Sequence, residues 1–161
     1  MIRHGVVAAL ILAVPVLSAA QTDAPSDDAR RHYREGLQHE TRRDLDAARR
    51  SYEESVRQDP TFALALDRLG FVYGLQGNTA RAIAEFERAT KADPTLFDAF
   101  YHLGATQWWA GDAERAVEAL RTAVRLQPDH AEARYYLGIS LNARRPARRR
   151  SFIMPSVRSQ R

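Results

Sequence analysis

Three polar side chains near the amino end of the chain have the types and spacing of metal ligands. His32, Glu35 and His39 recur at i, i+3 and i+7, which places them on one face of a helix. Two imidazoles and a carboxylate on one face are donors that zinc accepts. A terminal helix of an array also needs a polar side facing solvent, and this simpler explanation is preferred. We therefore expect no metal and no cofactor.

The remaining chemistry-bearing residues are not arranged for catalysis. His102 and His130 fall on separate predicted elements with no serine nucleophile beside them, and the chain has no cysteine. No glycine-rich loop follows a strand, as a phosphate-binding loop would. The sequence therefore predicts a protein that is not an enzyme. An enzyme would require a metal on the His32 face.

The elements that position these residues are set by a repeat of 34 residues. Glycines mark it at Gly36, Gly70, Gly104 and Gly138. Twelve positions after each of the first three glycines stands an alanine, and twenty-four after stands a proline. Sixteen positions after stands a bulky side chain: Tyr52, Phe86 or Leu120. Because glycine inside a helix costs about 1 kcal/mol against alanine, we expect each to lie where a neighbouring helix approaches closely.

Turn residues recur in the same register. Gly77-Asn78 and Gly111-Asp112 are expected to end one helix and begin the next. The polar residues that follow the repeated prolines are expected to cap the next hairpin: Thr61, Thr95 and Asp129. A period of this length is typical of helical hairpins stacked into an array.

These columns closely resemble those of the tetratricopeptide repeat over residues 29–142. Segments 63–96 and 97–130 fit best, 29–62 is degenerate, and 131–142 matches the first helix of a further unit. The resemblance implies an all-α fold, a right-handed superhelical array of antiparallel helix pairs with a concave inner face.

The resemblance also implies which residues line a partner-binding groove on that face. They stand three before, one after or four after the central glycines: Tyr33, Leu37, Asp67, Phe71, Tyr101, Trp108, Tyr135 and Ile139. With Glu40 beside them and Trp109 at the rim, this set suits a peptide or protein with apolar anchors and one basic residue. The alternative is that the aromatic rings pack within or between helices.

The family's carboxylate clamp, which grips chaperone C-termini, is not expected. It needs lysine, arginine and asparagine at inward positions, where this chain has Tyr33, Leu37, Asp98 and His102. Only Arg68 fits one of the basic or polar positions. The predicted function is a non-enzymatic scaffold that binds a peptide or protein. The alternative is a truncated remnant of a longer array, self-associating weakly through exposed Tyr136, Leu137 and Leu141.

The amino end has the pattern of a cleavable signal peptide. Arg3 and His4 precede an apolar run over residues 5–17, and small residues follow, ending at Ala20. Thirteen apolar residues are too few to span a bilayer. We expect cleavage after Ala20, a leader over 21–28, and a periplasmic or secreted protein without a stable membrane span. An uncleaved signal anchor is the alternative.

The carboxyl end, residues 143–161, is strongly basic. It holds seven arginines and no acidic residue, whereas residues 21–142 hold 16 basic and 20 acidic ones. The formal net charge of +4 therefore reflects the tail rather than the array. We expect a disordered, solvated extension. An electrostatic arm for anionic lipid or polysaccharide and an out-of-frame translation remain alternatives; nucleic acid is not an expected partner of an exported protein.

Overall fold

The computed structural model describes residues 24–144, and within that range it contains seven α-helices and no strand. In chain order they are α1 Asp27–Thr41, α2 Leu45–Gln58, α3 Ala63–Leu75, α4 Thr79–Ala92, α5 Phe97–Trp109, α6 Ala113–Leu126 and α7 Ala131–Arg144. The expected signal segment, residues 21–23 of the leader and residues 145–161 of the tail lie outside the described residues. No helix of the described range combines the length and apolarity needed to cross a membrane.

Consecutive helices pack as antiparallel pairs, α1 with α2, α3 with α4, and α5 with α6. The first helices of neighbouring pairs also touch, since α5 contacts both α3 and α7. The expected all-α array of helix pairs is therefore confirmed. Its ends differ slightly from the expected segment boundaries. Because Ser26 Oγ accepts from the Ala29 amide at 3.1 Å, α1 begins at Asp27 within the expected leader, and α7 runs on to Arg144.

The repeated glycines allow the two helices of each pair to approach closely. A methyl carbon added at Gly70 would lie 2.8 Å from Cδ1 of Phe86, and one at Gly104 would lie 2.5 Å from Cγ of Leu120. Gly36 stands against the ring of Tyr52 in the same way. The large side chain of each second helix therefore fills the space that a Cβ would occupy. This contact explains why a residue unfavourable to helices recurs in mid-helix.

The turns within the second and third pairs follow the sequence pattern. Gly77 has φ +77° and Gly111 has φ +85°, the left-handed conformation that glycine adopts without strain. Asn78 and Asp112 then cap α4 and α6 through side-chain oxygens that accept amide hydrogens. In the first pair Arg43 takes the place of the glycine and still adopts φ +60°. The first pair therefore has the same turn, but Arg43 adopts a strained backbone conformation there.

The expected capping by the residues after the prolines is wrong. The amide and hydroxyl of Thr61 both donate to Oδ1 of Asp59, at 2.9 and 2.7 Å, and Thr95 bonds to Asp93 in the same manner. The helices begin two residues later, at Ala63 and Phe97, without a side-chain cap. The aspartate before each proline organises the turn, so the threonine oxygen is already engaged. At α7 it is His130, rather than Asp129, whose ring nitrogen accepts from an amide of the first turn.

Candidate groove for a partner polypeptide

The eight expected groove residues lie on the first helices α1, α3, α5 and α7, which form one layer of the array. Their exposure varies widely. Tyr135 is 63% exposed and Asp67 only 3%. The other members are partly buried: Tyr33, Leu37, Phe71, Tyr101, Trp108 and Ile139. The set therefore combines residues accessible to a partner with residues already engaged in packing.

Tyr101 is held at the centre of an aromatic cluster between α5 and α7. Its ring stacks on Phe97 with the centroids 5.9 Å apart and an interplanar angle of 3°. The rings of His130 and Tyr136 lie 5.1 and 6.2 Å away. Burial raises the pKa of the Tyr101 hydroxyl. Because three neighbours fix the ring while part of it stays accessible, a partner would find it already ordered.

Tyr33, at the other end of the layer, is engaged in intramolecular packing. Its ring lies 5.1 Å from that of Phe62 and 5.9 Å from that of Tyr52. Burial raises the pKa of its hydroxyl. Leu37 likewise packs against the main hydrophobic core. Most of the surface of these two residues is therefore engaged in packing within the protein, which is the alternative given above for the groove residues.

Asp67 does not offer a free carboxylate to a basic partner, contrary to the sequence interpretation. It is buried, and its Oδ1 lies 2.8 Å from Nδ1 of His102. The His102 ring also lies 5.6 Å from that of Phe71 and 5.5 Å from that of Tyr101. His102 thus connects three of the expected groove residues, although it was not one of the eight itself.

The second acidic residue, Glu40, is also engaged. Its Oε2 accepts the hydroxyl hydrogen of Tyr52 at 2.5 Å and lies 4.0 Å from Nη1 of Arg68. The Arg68 guanidinium carbon stands 6.0 Å from the centre of the Phe71 ring. Burial by itself lowers the pKa of Arg68, but nearby Glu40 and the neighbouring acidic groups outweigh it and the pKa is raised. Arg68 is therefore a partly exposed positive charge beside the groove residues of α1 and α3, close to the less exposed Glu40.

The last turn of α5 and the middle of α7 carry the most accessible apolar groups. Trp108 is partly buried, whereas the adjacent Trp109 is 75% exposed, consistent with a place on the rim. On α7, Ile139 is partly buried and Tyr135 meets the ring of Tyr136 edge-on at 5.6 Å. The apolar part of the candidate site is thus concentrated on α5 and α7.

On the His32 face, the imidazole contacts two carboxylates. Nδ1 of His32 lies 2.9 Å from Oε2 of Glu35, and its Nε2 lies 3.9 Å from a carboxylate oxygen of Glu54 on α2. Within residues 24–144, no cluster of three or more potential ligands has the geometry to hold a metal ion.

Comparisons with known proteins agree with the arrangement of helices. The family model described as tetratricopeptide repeat matches residues 33–97 and 101–145. The first TPR of Spaghetti (RPAP3), solved with a peptide of HSP90, superimposes with a TM-score of 0.70 at 19% identity, over 73% of this chain and 94% of that one. The Sgt2 TPR domain from Aspergillus fumigatus gives a TM-score of 0.68 at 20% identity, over 75% of this chain and 82% of that one.

A third solved structure, the MamA protein, is more similar in sequence. It aligns at 28% identity with a TM-score of 0.67, over 72% of this chain and 63% of the MamA chain. A search of curated proteins finds no match. Since the family model covers most of the chain, and its helix pairs superimpose on solved arrays, the chain belongs to the tetratricopeptide repeat family.

Proposed function

We propose that this chain is a non-catalytic scaffold whose groove binds a peptide or protein partner. The observation that carries the proposal is the ordered aromatic cluster around Tyr101, with the partly exposed Trp108 about two turns further along the same helix. Tyrosine and tryptophan contribute strongly to binding because each buries a large area with few rotatable bonds. A ring fixed before binding loses less entropy when a partner arrives.

The charges in the groove favour an acidic group on the partner rather than the basic residue expected from the sequence. The Asp67 carboxylate already contacts the imidazole of His102, and the Glu40 carboxylate already accepts a hydrogen bond from the Tyr52 hydroxyl. Arg68 lies 4.0 Å from Glu40 and remains partly exposed next to the Phe71 ring. We therefore propose a partner segment with a carboxylate near Arg68 and apolar or aromatic side chains reaching α5 and α7.

Binding of an acidic peptide has a precedent among proteins of the same fold. The Spaghetti TPR was solved with the HSP90 peptide SRMEEVD, which contains three carboxylate side chains. At 19% identity this neighbour supports the fold and the general mode of use only. The partner proposed here is defined by the chemistry of Arg68 and of the rings on α5.

A peptide selection with the full chain tests the proposal. Binders are selected from a random peptide library, and their affinities are then measured by calorimetry against Tyr101→Ala/Trp108→Ala and Arg68→Ala. We expect at least about tenfold weaker binding by the double variant, because each truncation removes a candidate hot spot. Arg121→Ala, at an exposed residue of α6 outside the groove, is the control and should change affinity less than threefold, about 0.6 kcal/mol. Unchanged binding by the double variant would contradict the groove assignment.

The cellular site of action is proposed from the amino-terminal pattern alone. We propose export to the periplasm or beyond, with cleavage after Ala20. Mass spectrometry of the protein recovered from its native host tests this directly. A mature amino terminus at Gln21 is expected, and an intact Met1 terminus would favour the signal anchor.

Self-association through α7 is a second candidate function, favoured by one observation at Gly138. No atom of the described residues lies within 4 Å of a methyl carbon added there, unlike at the three earlier glycines. Of the three residues expected to be exposed on α7, only Leu141 is, because Tyr136 packs against Tyr101 and Leu137 is also partly buried. Tyr135 and Leu141, both exposed, stand three residues on either side of Gly138. If two copies of α7 cross antiparallel at Gly138, each Tyr135 meets the Leu141 of the other copy. The face is therefore self-complementary, as a two-fold interface requires.

A second copy fits this face better than the sequence that follows α7. In the register of the repeat, Arg150 stands in the alanine column whose members are all fully buried: Ala48, Ala82 and Ala116. A buried guanidinium without a partner is costly. Sedimentation of the full chain and of Gly138→Arg tests the idea. We expect a concentration-dependent dimer that the substitution abolishes, without lowering Tm at dilutions where the wild type is monomeric. A monomer at all concentrations would exclude this candidate.

A further inference from the structure

A cleft outside the groove lies between α4, α5 and α6 and has a volume of about 330 Å³. Its apolar walls include Phe100, Leu103 and Ala119, and none of the eight groove residues lines it. Gln107, also in the wall, is only 3% exposed, yet its Oε1 has no hydrogen-bond partner among residues 24–144. Because buried polar atoms are nearly always paired, an unpaired one next to a cleft indicates that something else can supply the partner.

The preceding repeat shows what fills the equivalent position. One period earlier, Tyr73 stands in the column of Gln107 and occupies the space between its neighbours with a ring that is 7% exposed. The Tyr73 hydroxyl donates to Oε1 of Glu53 at 2.8 Å. The guanidinium carbon of Arg81 lies 5.4 Å from the centre of the ring. The chain therefore contains a tyrosine side chain bound between a carboxylate and a guanidinium.

The later repeat keeps both of these polar partners but lacks the ring. Glu87 stands one period after Glu53, and Arg115 one period after Arg81, and both line the cleft. Their charged groups are 3.8 Å apart. Glutamine is shorter than tyrosine, so the volume that the ring would fill is left as the cleft. A donor there would satisfy the Glu87 carboxylate and lie near the unpaired Gln107 oxygen.

We propose that this cleft binds the phenol ring of a tyrosine side chain presented by a partner polypeptide. The hydroxyl donates to Glu87, the ring lies beneath the Arg115 guanidinium, and the apolar walls enclose its edge. A phenylalanine would leave the acceptors unpaired, which costs binding free energy. Two carboxylates, Glu87 and Glu118, and one guanidinium line the cleft, and the Arg115 guanidinium also donates to Asp112 at 2.6 Å. The phenol supplies a hydrogen-bond donor on a flat apolar body, which is the combination that the filled cleft of the preceding repeat contains, and the site lies outside the groove.

Titration of the full chain with small probes, followed by amide NMR, tests the proposal. N-acetyl-tyrosinamide is expected to shift the amide signals of α4, α5 and α6. N-acetyl-phenylalaninamide, identical apart from the hydroxyl, is expected to bind at least about tenfold more weakly. Equal affinity for the two would overturn the proposal. The free phenol p-cresol is the third probe; if it binds and N-acetyl-tyrosinamide does not, the site takes a free phenol and the tyrosine assignment is wrong.

Two matched variants fix the location of the site. Gln107→Tyr fills the cleft from within, as Tyr73 does, so it should abolish binding of N-acetyl-tyrosinamide while raising Tm. Tyr73→Gln opens the equivalent cleft in the preceding repeat and should double the number of sites. A Gln107→Tyr protein that binds like the wild type would overturn the proposal even if Tyr73→Gln fails to fold. Tyr101→Ala/Trp108→Ala should bind the probe normally, which separates this site from the groove.

Discussion

The carboxylate of Asp67 and the imidazole of His102 are 2.8 Å apart and connect the first helices of two successive pairs. Asp67 is buried on α3, and His102 on α5 is largely covered by the rings of Phe71, Phe86 and Tyr101. The contact therefore connects neighbouring repeats at the base of the groove. It also removes a negative charge from the surface offered to a partner.

A double-mutant cycle measures the coupling free energy between Asp67 and His102. His102→Phe keeps an aromatic ring but removes the hydrogen bond, and Asp67→Ala removes the carboxylate. We expect His102→Phe to cost about 1–3 kcal/mol because it leaves a buried acceptor unpaired. The double variant should cost less than the sum of the single ones, with a coupling free energy of about 0.5–3 kcal/mol. Urea unfolding provides the values, and additive costs would show that the two groups do not interact.

The order of helices was predictable from the sequence because it depends on local signals at a fixed period. Glycine columns, turn glycines and prolines each act within a few residues, so Gly77 and Gly111 indicated their turns directly. The pairing of Asp67 with His102 depends instead on how one repeat packs on the next. The residue type of Thr61 alone also could not show that it does not cap α3. Asp59 competes with the helix for the hydrogen bonds of Thr61.

Gly104→Ala and Gly138→Ala should have opposite effects on stability. At Gly104 the added methyl would lie 2.5 Å from Leu120, and overpacking of this kind costs about 1–3 kcal/mol. At Gly138 no atom of the described residues is close, so alanine should stabilise the helix by up to about 1 kcal/mol. Thermal and urea unfolding of both variants checks the pair. A destabilising Gly138→Ala would mean that something already packs against α7 there.

Arg43→Gly should stabilise the protein although it removes a side chain. Arg43 holds φ +60° in the turn between α1 and α2, a conformation that costs a non-glycine residue about 1–2 kcal/mol. Glycine loses more entropy on folding, so the expected net gain is a few tenths to about 1 kcal/mol. Gly77→Ala, which places a side chain at φ +77°, is the reverse control and should destabilise by about 1 kcal/mol. Equal unfolding midpoints for Arg43→Gly and wild type would show that the strain is relieved elsewhere.

The groove was only partly predictable for the same reason as the Asp67 contact. Column positions identified the helices and the face, and they placed Tyr101 and Trp108 on α5. They did not indicate that Tyr33 packs on Phe62, or that Glu40 is occupied by Tyr52, since both contacts join different helices. The sequence already shows glutamine at position 107, where the preceding repeat has Tyr73. Only the structure showed that it leaves a cleft rather than a repacked core.

Stability should fall at alkaline pH, and Tyr52 should account for a measurable part of the fall. Burial, followed by the hydrogen bond to Glu40, raises the pKa of the Tyr52 hydroxyl well above its ordinary value of about 10. The unfolded chain therefore releases this proton at a pH where the folded chain retains it. The stabilisation is fully present below about pH 10 and is lost as the pH rises further, with a slope of up to about 1.4 kcal/mol per pH unit.

Tyr52→Phe removes the titrating group while preserving the ring that packs against Gly36. The variant should be less stable than wild type at pH 8, by about 1 kcal/mol, because Glu40 loses its hydrogen-bond donor. Between pH 10 and 11 the two curves of unfolding free energy against pH should converge, since only the wild type loses the contribution of Tyr52. Tyr73, whose pKa is raised by burial and by its bond to Glu53, contributes equally to both proteins. Parallel curves over this range would mean that the Tyr52 hydroxyl is not protected from ionisation by the fold.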